Sequence, residues 1–404
     1  MCHRCEKPCP VDIDFGDVTI AMRNLLRKQG KQKFNLGTTA AMTFLTIKDP
    51  MFIKGIREVM IRFGYAAQNK LYKLGKSLHL IQDQVAHPPA TVHKPPVRTQ
   101  IINFINKPMP GNLPKRSARA LLDIEDDKVI PVIRNPKLSA EESEAVFYFP
   151  GCGSERLFSQ VGLATQAMLY EVGATTVLPP GYLCCGYPQT SGGQEDKGQR
   201  ITTDNRVLFH RVANTLNYLD IKTVIVSCGT CMDQLQKYQF ERIFPGCRLL
   251  DIHEYLMEKG VKLDGVEGTR YMYHDPCHSP MKTYAPLKVT SELMGTTVPL
   301  NDRCCGESGT LAVTRPDIST QVRFRKQEEM EQGANELRSD GFAGQVKVLT
   351  SCPSCLQGLS RFRDDADTDA DYIVVELAKN ILGDNWMSEY VSRANTGSIE
   401  RVLL

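Results

Sequence analysis

The sequence predicts an α/β protein made of two tandem, duplicated α/β domains behind a helical N-terminal region, and two observations carry that prediction. An adjacent cysteine pair followed by glycine occurs twice, as Cys184-Cys185-Gly186 and Cys304-Cys305-Gly306. Each copy has an upstream cysteine in a short turn, Cys152 or Cys277, and a downstream Cys-x-x-Cys, Cys228/Cys231 or Cys352/Cys355. The offsets between copies are 125, 120 and 124 residues, and three landmarks displaced almost equally mean a duplicated unit. The second observation is that strand-like and helix-like segments alternate between the landmarks of both copies, the pattern of parallel α/β units.

Composition narrows the function classes. The chain has 404 residues, 42% hydrophobic and 24% charged, an ordinary profile for two or three packed domains. A formal charge of +3 gives no case for nucleic acid. No apolar run of about 18 residues is present to span a bilayer, and Met1-Cys2-His3-Arg4-Cys5 lacks the apolar core of a secretory signal. The expected location is therefore the cytoplasm, where cysteines serve metals or catalysis more often than disulfides.

At the N-terminus, Cys2, Cys5 and Cys9-Pro10 have the spacing of the last three cysteines in the ferredoxin run C-x2-C-x2-C-x3-C-P. The first cysteine would precede Met1, so residues 1–17 read as a partial 4Fe-4S ferredoxin motif and the chain as the later part of a longer protein. A small zinc site is the competing reading, and three ligands complete no four-cysteine cluster. Residues 18–86 read as a helical basic region: seven Lys or Arg between Ala41 and Gln82 face only Asp49 and Glu58. Such helices suit either docking on the following domains or peripheral contact with an anionic membrane on the cytoplasmic side. Residues 87–118 hold Pro88, Pro89, Pro95, Pro96, Pro108, Pro110 and Pro114, which predicts a linker or extended arm.

The first α/β domain is expected over 145–260. Ala145-Val-Phe-Tyr-Phe is its entry strand, 161–170 a helix, Thr175-Thr-Val-Leu a strand, 204–219 a helix and Thr223-Val-Ile-Val a strand that runs into Cys228. The second, over 268–385, repeats the order: a strand at Tyr271-Met-Tyr, a helix over 287–294, a short strand at Thr297-Val-Pro, a charged helix over 322–337, and a strand at Val346-Lys-Val-Leu before Cys352. The acidic run Asp364 to Asp371 reads as a solvated turn, and Tyr372-Ile-Val-Val with Glu376 to Leu382 closes the domain.

Thiolates are soft ligands for zinc, Cu(I) or iron-sulfur centres. Zinc sites close at four ligands, whereas five cysteines from three loops, with a vicinal pair able to reach two metal atoms, suit a multi-iron cluster. Cys228 and Cys352 are expected where a strand meets a helix N-terminus, which favours the thiolate. Gly186, Gly306 and Gly309 are expected to bring backbone N–H groups to cluster sulfurs. Reading the Cys-x-x-Cys pairs as thioredoxin-like dithiols leaves six repeat cysteines without a role.

These ten cysteines carry a family resemblance. The double pattern resembles the cysteine-rich CCG domain pair of the B subunits of heterodisulfide reductases. It also resembles the iron-sulfur subunits of glycolate oxidase, anaerobic glycerol-3-phosphate dehydrogenase and lactate-utilisation systems. With the upstream motif, the chain is similar to the C-terminal part of bacterial fusions in which an FAD-linked 2-hydroxy-acid dehydrogenase precedes an iron-sulfur region. The resemblance implies two [4Fe-4S] clusters of the noncubane kind, one on Cys152, Cys184, Cys185, Cys228 and Cys231 and one on Cys277, Cys304, Cys305, Cys352 and Cys355. It further implies FAD on a partner or upstream domain, with electrons from D-lactate, glycolate or a related acid reaching a quinone or other acceptor. Disulfide or heterodisulfide reduction at a cluster and a zinc-bound interaction module are the alternatives. Catalytic residues are not assigned; His274, Asp275, His278 and Glu307 lie beside the second set, and Cys247 falls outside both.

Overall fold

The structure is a computed structural model that describes residues 9–32, 36–81, 95–111, 113–138, 143–307 and 311–404. Its first sheet has six strands, β1 (Val129–Ile133), β2 (Ala145–Phe149), β3 (Thr175–Val177), β4 (Ile221–Val226), β5 (Arg248–Asp251) and β9 (Ile399–Leu403), in the order β5-β4-β2-β3-β1-β9. The β5-β4-β2-β3 part is parallel, and β1 and β9 add antiparallel strands at one edge. The second sheet is β6-β7-β8, all parallel, from Thr269–His274, Gln345–Thr350 and Asp369–Tyr372.

Both sheets follow one plan. β2 and β6 are buried along their inner ends, and each leads into a turn bearing the first cysteine. β4 and β7 end at Val226 and Thr350, and a single serine, Ser227 or Ser351, separates each from the Cys-x-x-Cys. In place of β3 the second copy has a single parallel bridge, Tyr273 to Leu300, so the strand expected at Thr297-Val-Pro does not form. Pro299 has no N–H to give a ladder, and its carbonyl instead accepts from Tyr273 N at 2.9 Å.

The closing elements also differ from expectation. The acidic run is not a solvated turn: Asp369–Tyr372 is strand β8, Asp364 accepts from the Tyr72 hydroxyl at 2.9 Å, Asp365 pairs with buried Lys107, and Asp371 pairs with Lys379. The closing segment Tyr372-Ile-Val-Val leaves the end of β8 and enters a helix, Ile373–Leu382. A short apolar run fits a buried helix face as well as a strand, and here Ile373 to Ala378 are all buried.

The helix after β2, Ser159–Glu171, is buried on every side from Val161 to Tyr170 because it lies between the two repeats. It packs on Ile373–Leu382 of the second repeat, while Ile252–Glu258 of the first packs on Pro286–Met294 of the second. These contacts are reciprocal, since the helix after each entry strand meets the closing helix of the other copy. The copies are thus related as two subunits of an isologous dimer would be. One apolar core runs through both, from Val146 and Leu163 to Tyr372 and Leu377. The tail tightens the join: Tyr390 stacks edge-on to Tyr170 at 5.8 Å, and β9 returns to pair with β1.

The N-terminal helices dock on this body. The helix expected around Val18 to Leu26 spans Phe15–Lys28 and holds the first repeat through Arg23 to the Ser191 carbonyl (2.7 Å) and Arg27 to Asp196 (2.6 Å). Helical segments run from Pro50 to Ser77, where buried Arg57 donates to the carbonyls of Arg156 and Leu157 and Tyr65 donates to Gln357 at 2.9 Å. The proline-rich stretch expected to be a linker or an extended arm contains a helix, Val97–Ile105, because Pro96 and Pro108 lie outside its ends. Gln100 on that helix donates to Asp317 of the second repeat at 2.8 Å. Among the described residues no helix is long and apolar enough to cross a membrane.

Candidate metal centres

In each repeat the five cysteines come from three loops at the C-terminal ends of the parallel strands. The first cysteine follows β2 or β6, the pair lies in the next loop, and the Cys-x-x-Cys opens the helix after β4 or β7. Cys228 is the N-cap of Gly229–Leu235 and Cys352 the N-cap of Pro353–Ser360, as the sequence predicts. Six of the ten thiols, Cys184, Cys185, Cys231, Cys305, Cys352 and Cys355, are buried, and among the described residues no cysteine is in a disulfide.

The thiols touch in the same order in both copies. In the first, Cys152 meets Cys184 (Sγ to Sγ 3.9 Å), Cys184 meets Cys185, Cys185 meets Cys231, and Cys231 meets Cys228. In the second the chain runs Cys277, Cys304, Cys305, Cys355, Cys352, with 3.5 Å between the sulfurs of Cys305 and Cys355. Each member of a vicinal pair therefore reaches a different neighbour, one toward the entry-strand loop and one toward the Cys-x-x-Cys.

Crowding divides the protons unequally. Hydrogen bonds from Cys184 and Cys231 lower Cys185 to about 6, and the Cys231 hydrogen bond lowers Cys228 to about 6. Cys231 is pushed well up by its bond to Cys185, and Cys355 by its bond to Cys305. Cys304 falls to about 2, first through Cys277 and then through Cys305. Sulfurs close enough to move one another's protons in both directions are suited to cations that replace those protons.

The glycines have a steric use beside the expected approach to sulfur. Gly186 has φ +91°, and a Cβ there would stand 2.9 Å from the Gly198 carbonyl; Gly306 has φ +75°, with Arg323 Cγ at 2.7 Å. Both permit a left-handed turn pressed against the following helix. Approach to sulfur is seen at Gly306, whose N donates to Cys304 Sγ at 3.4 Å, at Gly186, whose backbone N–H bonds Cys184, and at Gly151 (φ +70°), where a Cβ would lie 2.6 Å from Cys231 Sγ. Gly309 lies outside the described residues.

The two sites abut across the repeat interface. A Cβ on Gly229, inside the first Cys-x-x-Cys, would lie 1.5 Å from the His278 carbonyl, next to Cys277. The reciprocal contact puts a Cβ on Gly153, next to Cys152, 3.2 Å from Pro353 inside the second Cys-x-x-Cys. Tyr372 donates to the Ser227 carbonyl at 2.6 Å, while Tyr148 and Tyr273 bond to Ser227 and Ser351 at 2.8 and 3.1 Å.

The flanking polar residues have structural partners. His278 joins the repeats, with Nδ1 bonded to Asp233 and Nε2 3.0 Å from the Tyr187 hydroxyl. Asp275 accepts from Tyr273 at 3.1 Å. Glu307 is buried, accepting from Gln357 at 2.6 Å and facing Arg361 at 3.6 Å. His274 is buried, and one of its ring nitrogens lies with the sulfurs of Cys305 and Cys355 inside a 4.8 Å group. Asp233, Tyr187, Arg323 and Lys326 gave no signal in the sequence, because their importance comes from contacts made across loops or across the repeat interface. Cys247 stands apart, its thiol raised to about 11 by burial and by Glu241. Cys9 accepts from Ile13 N at 3.3 Å on an exposed turn; Cys2 and Cys5 lie outside the described residues.

Five soft donors per pocket, already in mutual contact and largely shielded from water, fit a multi-iron centre better than a four-ligand zinc ion. Comparison with known proteins agrees with the class of donor. Residues 146–236 and 271–360 match the CCG family, described as a cysteine-rich domain, and residues 360–404 match DUF3400, a domain of unknown function. The chain is similar to an uncharacterized iron-sulfur protein of Methanocaldococcus jannaschii, 30% identical over 254 residues, 59% of this chain and 47% of that one. It is similar to the B component of the fumarate reductase (CoM/CoB) of Methanothermobacter marburgensis, 28% identical over 216 residues, 52% and 40% of the two chains. Lactate utilization protein A of an Exiguobacterium species is 24% identical over 210 residues, 48% of this chain and 83% of that one. The match thus spans less than half the length of the two methanogen relatives. No solved structure matches the chain. Residues 146–236 and 271–360 are thus a tandem pair of CCG cysteine-rich domains.

Proposed function

We propose that this chain is an iron-sulfur electron-transfer component of an oxidoreductase. In this reading Cys152, Cys184, Cys185, Cys228 and Cys231 hold one [4Fe-4S] cluster, and Cys277, Cys304, Cys305, Cys352 and Cys355 hold a second. The observation that carries it is the identical contact order of five thiols in both copies. When bound, such clusters supply one-electron storage at a potential set by their surroundings. The protein's own part is to fix the sulfurs, keep water from the buried ones and hold the two sites side by side. The domains extend over 145–260 and 268–385 in this reading. The flavin belongs to a separate dehydrogenase protein or domain for a 2-hydroxy acid of the D-lactate or glycolate type, and a quinone or similar carrier takes the electrons.

Peripheral membrane contact would use the helices between Pro50 and Ser77. Phe52, Val59, Phe63 and Leu74 are exposed there, beside exposed Lys54, Arg62, Lys70 and Lys73. Heterodisulfide reduction is the second reading, favoured by the match to a component of a CoM/CoB fumarate reductase and by the abutting sites.

Anaerobic purification followed by iron, sulfide and zinc analysis tests the first reading. About eight irons per chain are expected for two four-iron clusters. Zinc in stoichiometric amount with no iron would overturn it.

A further inference from the structure

The two five-cysteine pockets share one plan, yet one position beside the sulfurs differs in kind. β2 ends in Phe149 and β6 ends in His274, the equivalent residue. His274 is 1% exposed, and one of its ring nitrogens falls within 4.8 Å of the Cys305 and Cys355 sulfurs. Two donors bound to one metal stand roughly 3.5–4 Å apart, given bond lengths of about 2.0–2.3 Å, and the Cys305 and Cys355 sulfurs are already 3.5 Å apart.

The partners of Nδ1 decide the tautomer of the ring. Nδ1 lies 3.0 Å from the carbonyl oxygen of Asn301 and 3.2 Å from Lys326 Nζ. A carbonyl only accepts and an ammonium only donates, so Nδ1 can serve one of them. Lys326 has acceptors of its own, the same carbonyl at 2.8 Å and Glu329 at 2.9 Å. Nδ1–H therefore donates to Asn301, and the lone pair is on Nε2. An imidazole whose other nitrogen donates to a backbone carbonyl is the usual arrangement of a metal-ligating histidine. The carbonyl itself is fixed, because Asn301 N donates to the Tyr273 carbonyl at 2.7 Å, next to His274 in β6.

The first pocket is built differently at this point. Phe149 packs on Phe209 at 6.0 Å, and Asn205, on the helix Glu195–Thr215, donates to the Cys184 carbonyl at 2.8 Å.

We propose that His274 is a nitrogen ligand of the metal centre in the second cysteine pocket, oriented by Asn301 and Lys326, so that the two centres of this protein are chemically distinct. The inference rests on the reading that both pockets hold iron-sulfur clusters. It concerns ligation alone and requires no oxidant, reductant or proton beyond the metal centre.

Pulsed EPR of the full chain, purified anaerobically and reduced with dithionite, tests it after growth with and without 15N-histidine. The expected result is a nitrogen coupling that changes on histidine labelling, survives Cys184→Ser and is lost in His274→Phe, a substitution that installs the residue the first copy already has. If the labelled wild-type protein, with about eight irons per chain, has no histidine coupling, the inference is wrong, and that outcome needs no variant to fold. A histidine coupling that persists in folded, iron-replete His274→Phe overturns it equally. A chain without iron would instead remove the iron-sulfur reading on which it rests.

Discussion

The first repeat has the larger sheet and the more aromatic core, and the second has the smaller sheet and the more polar core. Phe147, Phe209, Phe240, Phe244 and Tyr238 pack together behind the first sheet, with Phe147 to Phe209 centroids at 5.0 Å and Phe240 stacked on Phe244 at 6.4 Å. The matching core of the second sheet uses Met272, Met330 and Ala334 and has buried Arg323 and Lys326 on its long helix. The first sheet is extended by β1 and β9, whereas the second stops at three strands, and its long helix Pro316–Leu337 is packed by Val97–Ile105, which in turn packs on the helix ending at Ser77. Duplication thus kept the backbone plan and the ten cysteines while the supporting layers changed. What a metal pocket requires is the position of its donors, and several different supports can supply that.

The largest test of this comparison is removal of one donor from each pocket. Cys184→Ser and Cys305→Ser should each lower iron by about half and remove one EPR signal, leaving the other pocket loaded. Loss of all iron in either variant would mean that the pockets assemble as one unit. Next are the glycines at the repeat interface. Gly229→Ala forces a methyl group into the His278 carbonyl and should cost about 4 kcal/mol or more, while Gly153→Ala meets Pro353 at close range and should cost about 1 kcal/mol. Urea midpoints measure both, and equal losses would contradict the packing described.

Ion pairs give the third contrast. Lys347 bonds both oxygens of buried Glu376 at 2.8 and 2.9 Å, so Lys347→Met leaves a buried carboxylate and should cost about 3 kcal/mol. Arg248 and Glu258 pair at the surface of the first repeat, and Arg248→Ala should cost only about 0.5 kcal/mol. Glu258 is held below the usual carboxylate range, chiefly by its hydrogen bond from Arg248. A depressed carboxylate contributes above its unfolded pKa and loses that contribution as pH falls through its folded value. The difference between wild type and Arg248→Ala should therefore shrink at acid pH and with added salt, both readable from unfolding midpoints.

Much of this was legible in the chain. β2, β4, β6 and β7 are apolar runs that end at cysteine landmarks, and Ser159–Glu171 and Pro316–Leu337 follow from helical periodicity. The missed and misread elements share a cause. Val129–Ile133 contains Pro131 and gains its place from β9, which is more than 260 residues away in sequence. Asp369–Tyr372 alternates acidic residues with alanine and tyrosine, and becomes a strand because Lys379, Arg363 and β7 supply partners. At the sites, the ten cysteines were visible by spacing, but the Asp233-His278-Tyr187 contact joins residues from two repeats and leaves no local pattern.

The sequence by itself determined the duplication, the parallel α/β units and the soft donor sets, because those depend on residue type and on intervals along the chain. Tertiary structure alone decided the reciprocal packing of the copies, the return of the tail to the first sheet, and the presence of an imidazole beside one pocket and a phenyl ring beside the other. These depend on which distant surfaces fit together, since a buried polar ring is tolerated only where a carbonyl such as that of Asn301 is held ready to accept its proton.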